Sequence, residues 1–211
     1  MTQPSVDRIA EVFDQNASRY DRQIGAFERL VLGGARGWAV NQAQGRVLEI
    51  AVGTGLNLPL YGDRVESVLG IDLSQGVLDI AETRSCRDGL VVQLRRGDVQ
   101  DLPLPDASVD TVVSTYSFCT IPDPGRACEQ AMRVLVPGGT FVLAEHGPAT
   151  SAPVRALMRV IDPFSVRFGA DHLLRDPLPY LAQAGFTIDE SHRGGRGGVT
   201  FRVLARKPSR S

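Results

Sequence analysis

The stretch Val47-Leu-Glu-Ile-Ala-Val-Gly-Thr-Gly55, with Gly70-Ile-Asp72-Leu-Ser74 after it, decides the fold of this 211-residue chain. An apolar run typical of a strand opens onto a turn that contains glycines, and the next strand-type run ends in one carboxylate. The glycines allow a ligand to approach the backbone, and the Asp72 carboxylate can accept hydrogen bonds from both hydroxyls of a ribose. The pattern therefore predicts an α/β domain that binds a nucleoside.

Strand-type runs alternate with helical segments along most of the chain. The predicted strands are residues 47–51, 67–71, 91–94, 111–114 and 140–144, with a terminal pair at 187–191 and 199–205. The predicted helices are residues 5–20, 75–86, 126–135, 154–161 and 176–184. Strict alternation of strands and helices predicts a parallel sheet that is covered by helices on both faces.

Two further motifs follow the nucleoside-binding stretch. Gly97-Asp98-Val99 ends the third predicted strand, and Arg133-Val-Leu-Val-Pro-Gly-Gly139 precedes the fifth. Together with Glu49–Gly55 and Asp72, they resemble the motifs of class I S-adenosylmethionine (AdoMet) methyltransferases. The resemblance implies AdoMet as the cofactor. It also implies a Rossmann-like, seven-stranded, mostly parallel sheet with an antiparallel last strand, helices on both faces and an N-terminal helical lid.

The same resemblance implies which residues contact AdoMet. Asp72 would bind the ribose, and Glu49 would reach the methionine ammonium group directly or through water. Asp98 and the Val99 backbone would bind the adenine, and Ser114 would offer backbone groups to the amino-acid moiety. The other predicted cofactor-binding residues are Tyr20, Ala51, Gly53, Thr54, Gly55, Asn57 and Leu73.

Tyr20 lies in the segment Phe13-Asp14-x-x-Ala17-x-x-Tyr20-Asp21. This segment resembles the N-terminal element of menaquinone- and ubiquinone-biosynthesis methyltransferases, in which the tyrosine closes over the AdoMet carboxylate. The resemblance predicts that Tyr20 belongs to a lid. An aromatic side chain that packs on the sheet at the end of a helix is the alternative.

The turn departs from two related patterns. A dinucleotide fingerprint requires a third glycine where this chain has Leu58, and the Glu49 carboxylate would repel a pyrophosphate. AdoMet is therefore favoured over a nicotinamide dinucleotide.

The methyltransferases usually have glycine at the position of Ala51. A Cβ there is tolerated at negative φ, so we expect a slightly displaced turn.

Candidate catalytic groups follow the fourth and fifth predicted strands. His146 is a candidate general base, with a histidine bonded into its loop as the alternative. Tyr116 and Phe118 are candidates for the wall of the methyl-transfer site, although Phe118 could equally be a core residue. Cys119 is disfavoured as a nucleophile because no partner base can be assigned to it.

The acceptor pocket is expected from residues 20–38, 116–121 and 146–174, which are rich in apolar side chains. Such a lining favours a small apolar or aromatic acceptor that is methylated on O, N, S or C. Two alternatives remain open: a protein that binds AdoMet without transferring its methyl group, and a nucleic-acid methyltransferase. The second would use the basic residues after Glu190, which are Arg193, Arg196, Arg202, Arg206, Lys207 and Arg210.

The composition of the chain bears on its partners, its redox compartment and its attachment to membranes. The net charge of −1 disfavours nucleic acid as a partner. Cys86, Cys119 and Cys128 lack metal-ligand spacing, which favours a reducing compartment and predicts no metal. With no stretch of about 18 apolar residues and no apolar leader, we expect a cytoplasmic protein without a stable membrane anchor.

The length favours a single domain. Within it we predict a helical lid at residues 1–42 and an AdoMet-binding core at 43–146. Acceptor-side helices and the terminal hairpin would occupy residues 147–205, and a disordered tail residues 206–211.

Overall fold

The computed structural model describes residues 5–84 and 86–209. Its strands are β1 (Gly45–Ile50), β2 (Val65–Asp72), β3 (Val91–Arg96), β4 (Val109–Thr115), β5 (Leu135–His146), β6 (Thr187–Gly194) and β7 (Thr200–Arg206). They form one sheet in the order β3-β2-β1-β4-β5-β7-β6. The first five strands pair in parallel, whereas β7 is antiparallel to both β5 and β6. The predicted fold is confirmed, with a last strand that runs against the rest.

Helices cover both faces of this sheet. They are α1 (Val6–Phe27), α2 (Ala35–Gln42), α3 (Gln75–Ala81), α4 (Pro124–Val134), α5 (Ala152–Gly169) and α6 (Leu178–Gln183). Neighbouring residues of the central strands enter different cores. Leu48 and Val112 pack in the core that includes α4 and α6, whereas Val47 and Val113 pack in the core that includes α3. Burial on both faces is what a parallel sheet between two helical layers requires.

Helix α1 extends beyond its predicted end at residue 20 and crosses the carboxyl edge of the sheet. The Ser5 hydroxyl caps its first turn by accepting from Arg8 N. Two carboxylates then tie the helix to the core. Asp14 accepts from the Ser74 hydroxyl and from Gly76 N at the start of α3, and Asp21 accepts from the Thr54 hydroxyl at 2.5 Å. Hydrogen bonds of Asp14 and Asp21 thus fix the predicted lid helix to the turns that follow β2 and β1.

The Pro137-Gly138-Gly139 segment lies inside β5, whereas we expected a turn ahead of a strand that begins near residue 140. Leu135 pairs with Val109, but Thr140 already pairs with Thr111, so the intervening residues bulge out of register. Gly138 has φ +80°, which favours glycine. The segment therefore shapes the sheet and lies away from the ligand-facing edge.

Ala51 contradicts the expectation of a negative φ, because its φ is +50°. The turn keeps the left-handed conformation that glycine adopts easily, with alanine in it. A left-handed alanine costs roughly 1–2 kcal/mol. The rest of the protein therefore holds the turn in this conformation, and the strain at Ala51 lowers the free energy of unfolding.

Ala51→Gly is expected to raise the free energy of unfolding by about 0.5–1 kcal/mol, because relief of the strain exceeds the added flexibility of the unfolded chain. Urea denaturation measures the change. The matched control is Ala156→Gly on the exposed side of α5, which should lower the free energy of unfolding by a similar amount. If both variants are destabilised alike, the strain at Ala51 is refuted.

The chain end is ordered further than predicted. Arg206, which we assigned to a disordered tail, is the last residue of β7, and Lys207 Nζ donates to Leu135 O at 2.6 Å. The end of the predicted tail, residues 210 and 211, lies outside the described residues. In the part of the chain that the structure describes, no helix has the length and apolarity to cross a bilayer.

Candidate active site

A cavity of about 630 Å³ lies under α1 at the carboxyl ends of β1, β2 and β4. In an open α/β sheet this edge is where ligands bind. The cavity brings together eight of the residues predicted from the sequence, namely Tyr20, Ala51, Gly53, Asp72, Leu73, Asp98, Val99 and Tyr116. Ile9 and Phe13 of α1 close it from above.

Asp72 is fixed at the cavity wall by backbone donors. Its Oδ2 accepts from Gly53 N at 2.9 Å, and its Oδ1 accepts from Ser74 N at 3.0 Å. Burial raises the pKa of Asp72 despite these bonds, which favour the ionised form. Because a carboxylate has about four acceptor positions, the two backbone bonds leave acceptor capacity for ribose hydroxyls.

Asp98 also lines this cavity and is oriented by Gln100, to which no motif in the sequence pointed. Gln100 donates to Asp98 from its backbone N at 2.8 Å and from Nε2 at 2.9 and 3.0 Å. Val99 is buried beside it. Asp98 and Val99 therefore stand together on one wall, as an adenine subsite requires.

Arg36 is a site residue that the sequence analysis missed. It lines a recess of about 240 Å³ together with Tyr20, Gly53 and Thr54. Its guanidinium forms an ion pair with Glu28 and donates to Asn57 Oδ1 at 2.8 Å. Burial opposes its charge, but Glu28 outweighs this and raises the pKa of Arg36. The recess thus presents a guanidinium whose charge is paired with Glu28, and a methionine carboxylate in the recess would share this guanidinium.

Glu49 lies behind the cavity wall. Its Oε1 accepts from Asn57 Nδ2 at 2.9 Å and its Oε2 accepts from the Tyr61 hydroxyl at 2.7 Å. Burial raises the pKa of Glu49 to about 7. Of the predicted cofactor-binding residues, Glu49, Gly55, Asn57 and Ser114 line neither of the two larger cavities nor the Arg36 recess. Of the two contacts predicted for Glu49, this placement favours the one through water.

Glu145 holds the loop that follows β4. It accepts from the Ser114 hydroxyl at 2.6 Å and from the backbone N of Ser117 and Phe118 at 3.0 and 3.2 Å. The loop carries Tyr116 at φ +54°, with its ring facing the cavity. Phe118 points the other way and packs edge-to-face on Tyr180 in the core. Of the two candidate wall residues, the structure therefore places Tyr116 in the site and Phe118 in the core.

A second cavity, of about 1000 Å³, adjoins the first. Among the residues that the structure describes, four line both, namely Phe13, Tyr20, Tyr116 and Thr120. The other described residues of the second cavity are Val12, Asn16, Ile24, Cys119, His146, Ser165, Gly169 and Asp171. A ligand atom bound at the shared wall would therefore be accessible from both cavities.

His146 lies in the second cavity and is paired with Asp171, which the sequence analysis did not single out. Nε2 of His146 is 3.2 Å from Asp171 Oδ1, and the imidazole is almost buried. Burial disfavours the imidazolium, but the charges of Asp171 and Glu145 outweigh it and raise the pKa of His146. His172, which lies in the segment 146–174 that we expected to form the acceptor pocket, lines a separate pocket with Arg175 and Tyr180. The general-base role of His146 stays a prediction, and Asp171 is the carboxylate beside it.

Cys119 completes a small cluster with this pair. A ligand atom of each of Cys119, His146 and Asp171 lies within 4.8 Å of the others, which is close enough to hold a metal ion. However, burial raises the pKa of the Cys119 thiol well above its usual range, and metals bind the thiolate. The absence of a metal therefore stays our prediction.

We expect prolonged treatment with a chelator to leave turnover unchanged, because a neutral His146 beside Asp171 can accept a proton without a metal. Elemental analysis of the purified protein should show substoichiometric zinc. One equivalent of zinc, together with loss of turnover on its removal and recovery on its return, would contradict this prediction.

Comparison with known proteins agrees with this geometry. A family model described as "Methyltransferase domain" matches residues 48–143. The chain is 39% identical to phosphatidylethanolamine N-methyltransferase of Cereibacter sphaeroides over 62% of its length and 64% of the relative's. It is 33% identical to demethylmenaquinone methyltransferase of Deinococcus radiodurans over 72% of its length and 66% of the relative's. The chain thus spans slightly less than two thirds of these relatives.

Solved structures give the same fold. An AdoMet-dependent methyltransferase from Thermotoga maritima superposes with a TM-score of 0.71 at 22% identity. The match covers 93% of this chain and 99% of that one. At this identity the likeness concerns the fold alone.

Proposed function

Since the chain belongs to the class I AdoMet-dependent methyltransferases, we propose that it transfers the methyl group of AdoMet to a small apolar or aromatic acceptor. The observation that carries the proposal is the pair of adjoining cavities with a shared wall of Phe13, Tyr20, Tyr116 and Thr120. One cavity has the groups that a nucleoside needs, and the other is largely apolar. A reaction between two ligands requires this arrangement.

The residues of the first cavity, together with Arg36 in the adjoining recess, fit AdoMet. Asp98 and Val99 would hold the adenine, Asp72 the ribose, and Arg36 the methionine carboxylate. Bound AdoMet supplies an electrophilic methyl group on a sulfonium. Tyr20 and Tyr116 would hold the sulfonium end at the shared wall and keep water from it. Positioning of two reactants in line can supply roughly 7–11 kcal/mol of the barrier.

His146 would act as a general base for acceptors that carry a proton on the nucleophile. The Asp171 carboxylate lies 3.2 Å from Nε2, and its charge raises the pKa of His146. As the acceptor attacks the methyl carbon and the bond from that carbon to sulfur breaks, the proton of the acceptor would pass to the imidazole. Asp171 would then stabilise the resulting imidazolium. Asp171 is thus a positioning residue, and His146 is the catalytic one.

The acceptor is proposed to be lipophilic, because the second cavity is lined by Val12, Ile24 and aromatic side chains. The names of two relatives refer to a menaquinone precursor and to a phospholipid. Both kinds of molecule combine an apolar body with a nucleophilic head. The residues that line the second cavity are compatible with an O, N, S or C nucleophile on such a molecule. Nucleic acid is disfavoured by the net charge of −1.

We also propose that the protein works in the cytoplasm. Cys86, Cys119 and Cys128 are free thiols in the structure, and two of them are buried. Free thiols are typical of a reducing compartment.

Incubation with methyl-labelled AdoMet and a panel of phenols, quinols, thiols and amines tests the proposal. Labelled product from at least one lipophilic member is the expected result. Asp72→Ala protein serves as the control, since it should lose product formation at low AdoMet concentration. Tight binding of AdoMet without transfer to any acceptor would instead favour a protein that uses AdoMet as a ligand.

A further inference from the structure

Helix α5 turns an apolar face to solvent. Val154, Leu157, Ile161 and Phe164 recur at helical spacing and form one stripe, with Val160 beside it. Leu157 is 58% exposed, Val160 67% and Phe164 63%. A surface helix normally directs such a stripe into the core. An outward stripe of this length indicates a surface that contacts something apolar.

The inner side of the same helix belongs to the second cavity. Ser165 and Gly169 line that cavity, and Val166 is buried. Helix α5 therefore separates the proposed acceptor site from solvent. A molecule that leaves an apolar phase beside α5 would have a short path to the second cavity.

Basic side chains accompany the apolar stripe. Arg159 is exposed on α5, and Val154 at the start of the helix packs on the turn Arg196–Gly198, where Arg196 is exposed. Leu30, 62% exposed, belongs to the π-helical turn Glu28–Leu32 that packs against the same region. Arg196 thus lies at the end of the apolar face, whereas Arg159 lies on the other side of α5, two residues from both Leu157 and Ile161.

We propose that α5 and the adjoining Arg196 turn dock the protein on an anionic membrane surface, where the second cavity receives its acceptor from the lipid. The step from docking to acceptor delivery rests on the proposed function. A helix that lies in the interface buries its apolar face among the acyl chains and sets basic residues against anionic headgroups. A nucleic-acid surface would use the arginines but leave Leu157, Val160 and Phe164 without a role.

Flotation with phosphatidylcholine vesicles, with and without phosphatidylglycerol, tests the docking. The wild-type protein is expected to float with the vesicles that contain phosphatidylglycerol. A triple variant, Leu157→Gln, Val160→Gln and Phe164→Gln, should lose at least tenfold in the fraction bound at limiting lipid. Arg159→Glu with Arg196→Glu should remove the preference for anionic vesicles.

A matched control lies on β3, the edge strand at the opposite end of the sheet from β6. Val91→Gln with Arg95→Glu removes a 56% exposed apolar side chain and one exposed arginine there, and vesicle binding should be unchanged. All variants should keep wild-type affinity for AdoMet in calorimetry, which verifies that they fold.

Vesicle binding is measured without AdoMet or acceptor, so it can fail or succeed independently of the methyl-transfer assay. Absence of wild-type flotation would overturn the docking proposal. So would flotation that the triple variant retains, retention on heparin without flotation, or a wild-type dimer that this variant converts to a monomer.

Discussion

His146→Ala is expected to lower kcat about 10²- to 10⁴-fold for an acceptor whose own pKa lies well above the assay pH. The variant lacks the base that takes the acceptor proton, while the AdoMet subsite, which His146 does not line, is unaltered. The KM for AdoMet should therefore change little. The loss in kcat should shrink for acceptors that are already ionised. Steady-state kinetics on a graded series of phenols or thiols measures this dependence.

The pH profile separates a base from a packing residue. His146 must be neutral to accept a proton, so kcat should rise with pH and level off above the pKa of His146. Asp171 and Glu145 raise that pKa above its ordinary value of 6.5, so the inflection should lie above 6.5. Asp171→Asn removes one of these charges and should move the inflection to lower pH while lowering the plateau.

His172→Ala is the matched control, because His172 lines a different pocket. It should keep both the plateau and the inflection. Wild-type kcat for His146→Ala on a weakly acidic acceptor would show that positioning alone drives transfer. An unshifted inflection in Asp171→Asn would contradict the role of Asp171.

Asp72→Ala is expected to weaken AdoMet binding by about 1.5–3 kcal/mol, or about 10- to 150-fold in Kd, if the ribose contacts are charge-assisted hydrogen bonds. S-adenosylhomocysteine should lose affinity by the same factor, because the two molecules share the ribose. Calorimetric titration of both ligands measures the effect.

Asp72 also accepts from Gly53 N and Ser74 N, so its removal loosens the turn as well. Asp72→Asn retains the shape and one acceptor oxygen, and should give an intermediate loss. Asp63→Ala, at a carboxylate that is 94% exposed, is the control and should bind both ligands as the wild type does. Unchanged affinity in Asp72→Ala would exclude the proposed ribose subsite.

The parts of the site that were predictable lie within a few residues of a strand end. Asp72 is the last residue of β2, and Gly53 and Asp98 come shortly after the ends of β1 and β3. Parallel strands carry their carboxyl ends to one edge of the sheet. Local sequence therefore determines both their type and their position. Arg36 and Asp171 reach the site from α2 and from the segment after α5, through contacts between distant parts of the chain. No local pattern encodes such contacts.

The backbone of the site departs from local preference. Ala51 and Tyr116 both adopt positive φ, although neither is glycine. Tyr116 is held there by its N–H bond to Ala144 O at 2.9 Å and by the Glu145 bonds to the next two residues. Tertiary contacts thus override the single-residue rule from which we expected a negative φ at Ala51. Strain of this kind concentrates at functional sites.

A crystal structure with S-adenosylhomocysteine tests the central claim, that AdoMet occupies the first cavity and presents its methyl group to the second. We predict adenine beside Asp98, the carboxylate at Arg36, and the sulfur at the shared wall between Tyr20 and Tyr116. The sulfur should face the cavity that contains His146. A ligand bound in the second cavity, or with its sulfur turned away from it, would contradict the account.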